Sequence, residues 1–186
     1  MTTLLLLAHP DIATSRVNRA LLAGLDRLDG LEVADLTQLY PNAQIDLAAE
    51  RERLLRADKL IFQFPLYWYS TPPILKQWQD AVLTPIFYLE PDTAALMRGL
   101  PILAATTTGG PPASYEPGAL TMTINELFAP LRATARKCGF IWHNPFAVHD
   151  VRNIDDTELR RASETYRAIV LSLPTRQKLS DSSKPI

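Results

Sequence analysis

"FQFPLYWYSTPPILKQW", Phe62–Trp78, starts as an unbroken apolar run and ends in a pattern with helical spacing. Between the two lie Tyr67, Trp68 and Tyr69, then Ser70, Thr71, Pro72 and Pro73. The run "KLIFQF" reads as a buried strand, and a proline in the first turn suits the opening of a helix "ILKQWQDAVL". Turns between a strand and a helix normally carry small polar residues. Three large rings in this one imply that a neighbouring subunit covers them or that something flat lies against them.

The same alternation of strand and helix extends in both directions. Upstream, "TLLLLAH" reads as the first strand. "SRVNRALLAGLDRLDG" follows as a helix with Val17, Leu21, Leu25 and Leu28 on one face, stopped by Gly30. "LEVADL" is the second strand, and Asp46 can cap "LAAERERLLRAD", with Leu47, Leu54 and Leu55 inward. Downstream, "LPILAATTT" is the fourth strand, and a helical stretch from Leu120 to Lys137 is divided by Pro130 and ended by Gly139. "FIWHNPFAVH" is the fifth strand, broken at Pro145. Asp155 or Asp156 then caps "TELRRASETYRAIVLSL". Five strands each followed by a helix predict an α/β fold, a five-stranded parallel sheet covered by helices on both faces, and one common order for such sheets, 2-1-3-4-5, puts strands 1, 3 and 4 side by side. One domain spans 1–173, and 174–186 reads as a loose polar tail.

Composition limits the function. A chain of 186 residues, 47% apolar and 21% charged, has the balance of a globular domain. Its formal net charge is −1, with Lys and Arg scattered, so no electrostatic footprint for nucleic acid is expected. The single cysteine, Cys138, reads as a small buried residue near a helix end and suits a reducing compartment. Leu4–Ala8 is too short an apolar run for a signal peptide or a membrane span, so a cytoplasmic protein is expected.

In an open parallel sheet, ligands collect beyond the carboxyl ends of strands where the strand order reverses. The unusual sequence falls at those ends of strands 1, 3 and 4: "AHPDIATSRVN", "FPLYWYSTPP" and "TTTGGPPASY". Thr14, Ser15 and Asn18 stand where a helix begins, so side chains and first-turn amides there can take a phosphate. Alone, Ser15 or Thr14 is an ordinary helix cap. Gly109 and Gly110 allow close backbone approach, although "TTGG" alone is equally a tight turn. With the ring cluster, the three ends favour a flat phosphorylated cofactor. The seven glycines form neither a G-x-G-x-x-G nor a P-loop pattern, and flavin mononucleotide suits the parts.

"AHP…S..N", "FPLYWYS.P..LK.W.D.V" and "TTGG" resemble the flavodoxin-like NAD(P)H:quinone oxidoreductases. "LYPNAQIDLAAERERLLRAD" resembles most closely the bacterial ancillary proteins of glutathione-regulated potassium-efflux systems. The resemblance reaches about Val170 and implies FMN, in preference to FAD, with NADH or NADPH as co-substrate and a quinone as acceptor. It implies ping-pong hydride transfer, a homodimer, and potassium-efflux regulation beside an antiporter at the inner membrane as the alternative role. The implied cofactor contacts are His9, Ser15, Arg16, Val17 and Asn18 for the phosphate and ribityl chain. Pro65, Leu66, Tyr67, Trp68 and Tyr69, with Thr107, Thr108, Gly109 and Gly110, would hold the ring.

Tyr115 matches a tyrosine that in animal quinone reductases pairs with a histidine six residues on, where this chain has Thr121; Tyr115 is the catalytic candidate. The resemblance also places a glycine-rich loop at the substrate opening around Tyr88–Leu100, where this chain has Pro91 and Asp92. His143 and His149 lack accompanying ligands at metal spacing, so no metal is expected. Trp78 reads as a core or dimer contact, and no G-x-S-x-G elbow suggests a hydrolase.

Overall fold

The computed structural model describes residues 1–119 and 122–176. Leucine-rich β1 (Thr3–Leu7) is fully buried and lies inside the sheet, next to its edge strand. It pairs in parallel with β2 (Leu31–Asp35) on one side and β3 (Lys59–Pro65) on the other. β3 pairs with β4 (Pro101–Thr107), placing Phe64 opposite Thr106 and Pro65 opposite Thr107. The order 2-1-3-4 is as expected. The fifth position holds two short strands, β5 (Ile141–Trp142) and β6 (Phe146–Val148), both paired with β4. The sheet therefore has six strands rather than the five expected. Pro145 cannot donate to the ladder, so pairing lapses between them.

Both faces are covered. α1 (Arg16–Ala23) and α9 (Asp156–Ser172) close one face over Leu5, Leu7, Ile61 and Leu103. Against Leu4, Leu6, Phe62 and Phe64 lie α2 (Leu36–Leu39), α3 (Leu47–Arg56), α4 (Pro73–Trp78), α5 (Thr84–Leu89), α6 (Pro91–Met97), α7 (Ile124–Leu127) and α8 (Ala129–Lys137).

The caps behave as read. Asp46 accepts from the Ala49 amide, and Asp155 forms a capping box with Glu158. The helix expected from Leu120 is divided at Phe128, with Pro130 in the first turn of α8; its expected first residues lie outside the described ones. Two helices differ in extent. α1 yields at Gly24 to three-residue turns, Leu25 N–H to Leu22 O and Leu28 N–H to Leu25 O, which still point Leu25 and Leu28 inward. Gly30 does end that segment, at φ +74, where a Cβ would sit 2.0 Å from Met1 O. The helix after Pro73 runs on to Leu89 through a widened turn at Gln79–Leu83. Pro85 explains the widening: it has no N–H for the Ala81 carbonyl, and its ring would clash with that oxygen in a regular turn.

The segment Tyr88–Leu100 is not at the mouth of the site, as the resemblance implied. It forms α6 at the amino ends of the strands, where Leu96 O accepts from Arg176 Nη1 at 2.9 Å. Arg176 also donates to Leu55 O at 2.7 Å and is buried, so the chain from Pro174 to Arg176 is docked rather than loose. The rest of the expected tail lies outside the described residues.

One buried charge was not anticipated. Glu50, on α3, is 0% exposed. Its Oε1 accepts from the Tyr40 hydroxyl at 2.5 Å and from Arg53, and its Oε2 accepts from Trp78 Nε1–H at 2.8 Å. Burial and the Glu50 carboxylate push the Tyr40 phenol up to about 12, so it stays a donor. Trp78 is a core residue tying α4 to α3.

Candidate functional site

Parallel pairing brings the ends of β1, β3 and β4 to one rim, and side chains tie them together. Asn18 Nδ2 donates to Thr107 Oγ1 at 2.9 Å, and Gln63 Nε2 donates to Asn18 O at 2.9 Å. Leu66 N–H donates to Thr107 O at 2.8 Å. Three distant segments of sequence thus form one rim, as their odd composition implied.

At the first end, His9 Nδ1 accepts from the Asp11 amide at 3.1 Å. Burial lowers its pKa, leaving a neutral ring whose Nε2 carries the proton as a donor. Ser15 caps α1 by accepting from Asn18 N–H at 3.3 Å. The first-turn amides of Arg16 and Val17 have no carbonyl a turn earlier to bind. Their side chains are engaged elsewhere. Arg16 donates to Ile154 O at 2.7 Å and to Asp156 at 2.5 Å, and Val17 lies in the core. Any contact these two make with a ligand at the rim therefore runs through the backbone. Asn18 is buried, and its Oδ1 has no partner among the described residues. An orphaned polar atom beside open helix amides is what a polar ligand would complete.

The ring-rich turn closes on itself. Tyr67 and Ser70 exchange two backbone bonds of 2.9 Å, leaving Trp68 and Tyr69 as the two central residues at φ +46 and +64. That is a two-residue hairpin turn which usually demands Asn-Gly. Tyr67, Trp68 and Tyr69 are 43%, 94% and 47% exposed, so the rings are not packed into this chain. Pro65 has no amide, and the amides of Leu66 and Tyr67 are spent on Thr107 O and Ser70 O. Those of Trp68 and Tyr69 have no protein partner among the described residues.

At the third end, the amide of Thr108 donates to Val148 O at 2.8 Å, and its hydroxyl donates to Gly110 O at 2.9 Å. The amides of Gly109 and Gly110 have no protein partner among the described residues, and nothing lies within 4 Å of where a Gly109 Cβ would be. Tyr115 lies over Gly110: a Cβ there would be 3.3 Å from both its ring edge and its hydroxyl. Four open amides and exposed rings, with helix-start amides beside them, suit a planar phosphorylated ligand, and the FMN implied by the sequence fits this donor set.

An apolar cleft of about 340 Å³ flanks the rim between the β1 and β3 exits, lined by Pro10, Tyr40, Tyr67, Pro73 and Ile74 among others. It adjoins the expected ring site without enclosing it.

His149 was missed. The sequence offered it only as half of an unsupported metal pair with His143. Those two histidines sit at opposite ends of the fifth position, His143 beside Ile102 and His149 beside Thr108. His149 instead stacks on Tyr115, centroids 5.0 Å apart and planes 26° from parallel. Its position one residue past the end of β6 gave no sign of this. Thr121 lies outside the described residues.

Comparison with known proteins agrees with the geometry. The family model for the flavodoxin-like fold matches residues 1–170. The chain is 41% identical over 164 residues to the glutathione-regulated potassium-efflux system ancillary protein KefF of Klebsiella pneumoniae (strain 342), covering 88% of this chain and 92% of that protein. It superposes with a TM-score of 0.84 and 33% identity on general stress protein 14 of Treponema denticola, solved in complex with FMN, covering 92% and 99%. An NADPH-quinone reductase from P. pentosaceus superposes at 0.81 with 29% identity, covering 91% and 97%. No helix among the described residues is long and apolar enough to cross a membrane.

Proposed function

The chain belongs to the flavodoxin-like family that includes the potassium-efflux ancillary proteins, and from that premise we propose that it is an FMN-dependent NAD(P)H:quinone oxidoreductase. The observation that carries this reading is the set of four unpartnered amides, Trp68, Tyr69, Gly109 and Gly110, on two adjacent strand exits of one rim. When bound, FMN supplies the hydride chemistry, taking two electrons from NADH or NADPH and yielding them to a quinone in turn.

This chain's residues do the rest. The amides of Arg16 and Val17 and the His9 Nε2–H hold the phosphate end. The four open amides would hold the polar edge of the ring, where negative charge develops, and a preorganised donor there lowers the barrier without reorganisation. Tyr115 adds a hydroxyl beside Gly110. The chain works as a homodimer whose second subunit borders the flavin site, leaving the exposed Trp68 and Tyr69 rings to wall the flavin.

A visible spectrum tests the cofactor: protein mixed with FMN and desalted should retain a flavin band. Addition of NADPH should bleach it and a benzoquinone restore it. Turnover no faster than with free FMN would remove the enzymic reading. Tyr115→Phe should slow quinone turnover on the order of tenfold, the low end of acid-base contributions. An unchanged rate would make Tyr115 structural.

The identity with KefF supports a second, compatible role as the ancillary subunit of a potassium-efflux antiporter. Co-purification with antiporter-containing membranes tests it, and failure to do so leaves a freestanding reductase.

A further inference from the structure

Tyr115 sits at the end of a short turn, Pro112–Tyr115, with an exposed stretch on its far side. Its own turn offers little to hold the phenol in place. Beyond partial packing of its ring on the core, what it touches is the segment leaving β6. The His149 ring lies against it at 5.0 Å, and that ring is itself fixed at 3.0 Å from Nδ1 to Thr108 Oγ1. The Thr108 hydroxyl has one proton, and that proton goes to Gly110 O. His149 must therefore donate from Nδ1, which fixes both its tautomer and the plane of its ring. Burial lowers its pKa, in keeping with a neutral ring. The surrounding backbone reinforces the arrangement: Asp150 N–H donates to Gly110 O at 2.9 Å and Val151 N–H to Thr108 O at 3.1 Å. Asp150 holds φ +50, a left-handed turn that swings the chain back over the glycine loop.

We propose that His149 is the positioning residue of the site, a ring platform locked by Thr108 that holds the Tyr115 hydroxyl against Gly110. It acts through Tyr115 and touches neither cofactor nor acceptor. The inference rests on the oxidoreductase reading for its kinetic consequence, but the placement itself does not.

Two substitutions separate the parts of the device. His149→Asn keeps a donor near Thr108 and removes the ring; His149→Phe keeps the ring and removes the donor. Quinone turnover by His149→Asn should fall on the order of tenfold, as for Tyr115→Phe. The KM for NADPH and the affinity for FMN should each change less than about twofold, since uniform binding is untouched. The double variant His149→Asn/Tyr115→Phe should be no slower than Tyr115→Phe alone, because the platform has nothing left to position. His149→Phe should keep at least about half of the wild-type rate. Losses that multiply to about a hundredfold in the double variant, or a His149→Phe protein as slow as His149→Asn, would overturn the proposal.

A measurement on the FMN-free protein keeps the two readings apart. Proton NMR of the Tyr115 ring should show an upfield ring-current shift that His149→Asn abolishes and His149→Phe preserves. Wild-type protein without turnover but with that shift would end the enzymic reading and leave the placement standing. Absence of the shift in the wild-type protein would end the placement.

Discussion

Glu50→Ala should lower stability by about 3–5 kcal/mol, the cost of removing one partner from a buried, hydrogen-bonded charge cluster. For a chain of this size that corresponds to a fall in Tm of roughly 6–20 °C. The reason lies in what is left behind. Trp78 Nε1–H, fully buried, and the Tyr40 hydroxyl would both lose their acceptor, and Arg53 would keep only Glu32, at 3.1 Å. A cavity would open between α3 and α4 as well. Glu50→Gln separates shape from charge. It fills the same space and still accepts from Trp78, but it offers Arg53 an amide where a carboxylate stood, so it should lose less than half as much. Urea unfolding measures both, with m unchanged if only the folded state is affected. A Glu50→Ala protein within about 1 kcal/mol of wild type would mean that water satisfies the cluster. The cluster also bears on function. Tyr40 and the start of α4 form opposite walls of the 340 Å³ cleft, and Glu50 joins them through Tyr40 and Trp78. Loosening it should widen that cleft before the protein unfolds.

That cluster illustrates where the sequence was legible and where it was not. Leu4 to Leu7 is apolar throughout and could only be a strand buried on both faces. The parallel sheet followed from the alternation of strand and helix, its order from the flavodoxin-like arrangement, and the rim from odd residues at three strand ends. Glu50 stands in "AAERER", where nothing local announces that Tyr40, ten residues earlier, and Trp78, 28 residues later, will close over it. His149 was hidden for the same reason. Its partners, Thr108 and Tyr115, are reached only by strand pairing, whereas its neighbours in sequence are a broken edge strand and an acidic turn. The α1 boundary failed differently: Leu25 and Leu28 keep an inward face in tight turns as well as in a helix, so periodicity alone overran the true end. Short-range signals such as caps and prolines were read correctly, as was the shared rim, whereas individual side-chain contacts between remote segments were not.

Replacing Trp68-Tyr69 by Asn-Gly should make the protein more stable and bind flavin less well, two effects of opposite sign from one change. Both residues sit at positive φ, where an L side chain other than Asn costs about 1–2 kcal/mol, and Asn-Gly is the pair such a turn prefers. Their rings, 94% and 47% exposed, give little packing in return. Relief of strain should thus raise the urea midpoint by an amount equivalent to about 1–3 kcal/mol, reduced somewhat by the added backbone freedom of glycine in the unfolded chain. The two amides facing the rim remain, so polar recognition of the ring edge survives. What disappears is the aromatic wall, and stacking on such a wall contributes about 1–3 kcal/mol, or about five- to 150-fold in Kd measured by quenching of FMN fluorescence. A protein that keeps two bulky residues in a glycine conformation accepts strain in the empty state for an interaction completed only when something lies against the rings. If the Asn-Gly protein is instead less stable, the rings are packing against something in solution, and a concentration-dependent melting temperature would identify it as a second copy of the chain. If it is more stable and binds FMN unchanged, the backbone alone recognises the flavin and the rings serve another partner.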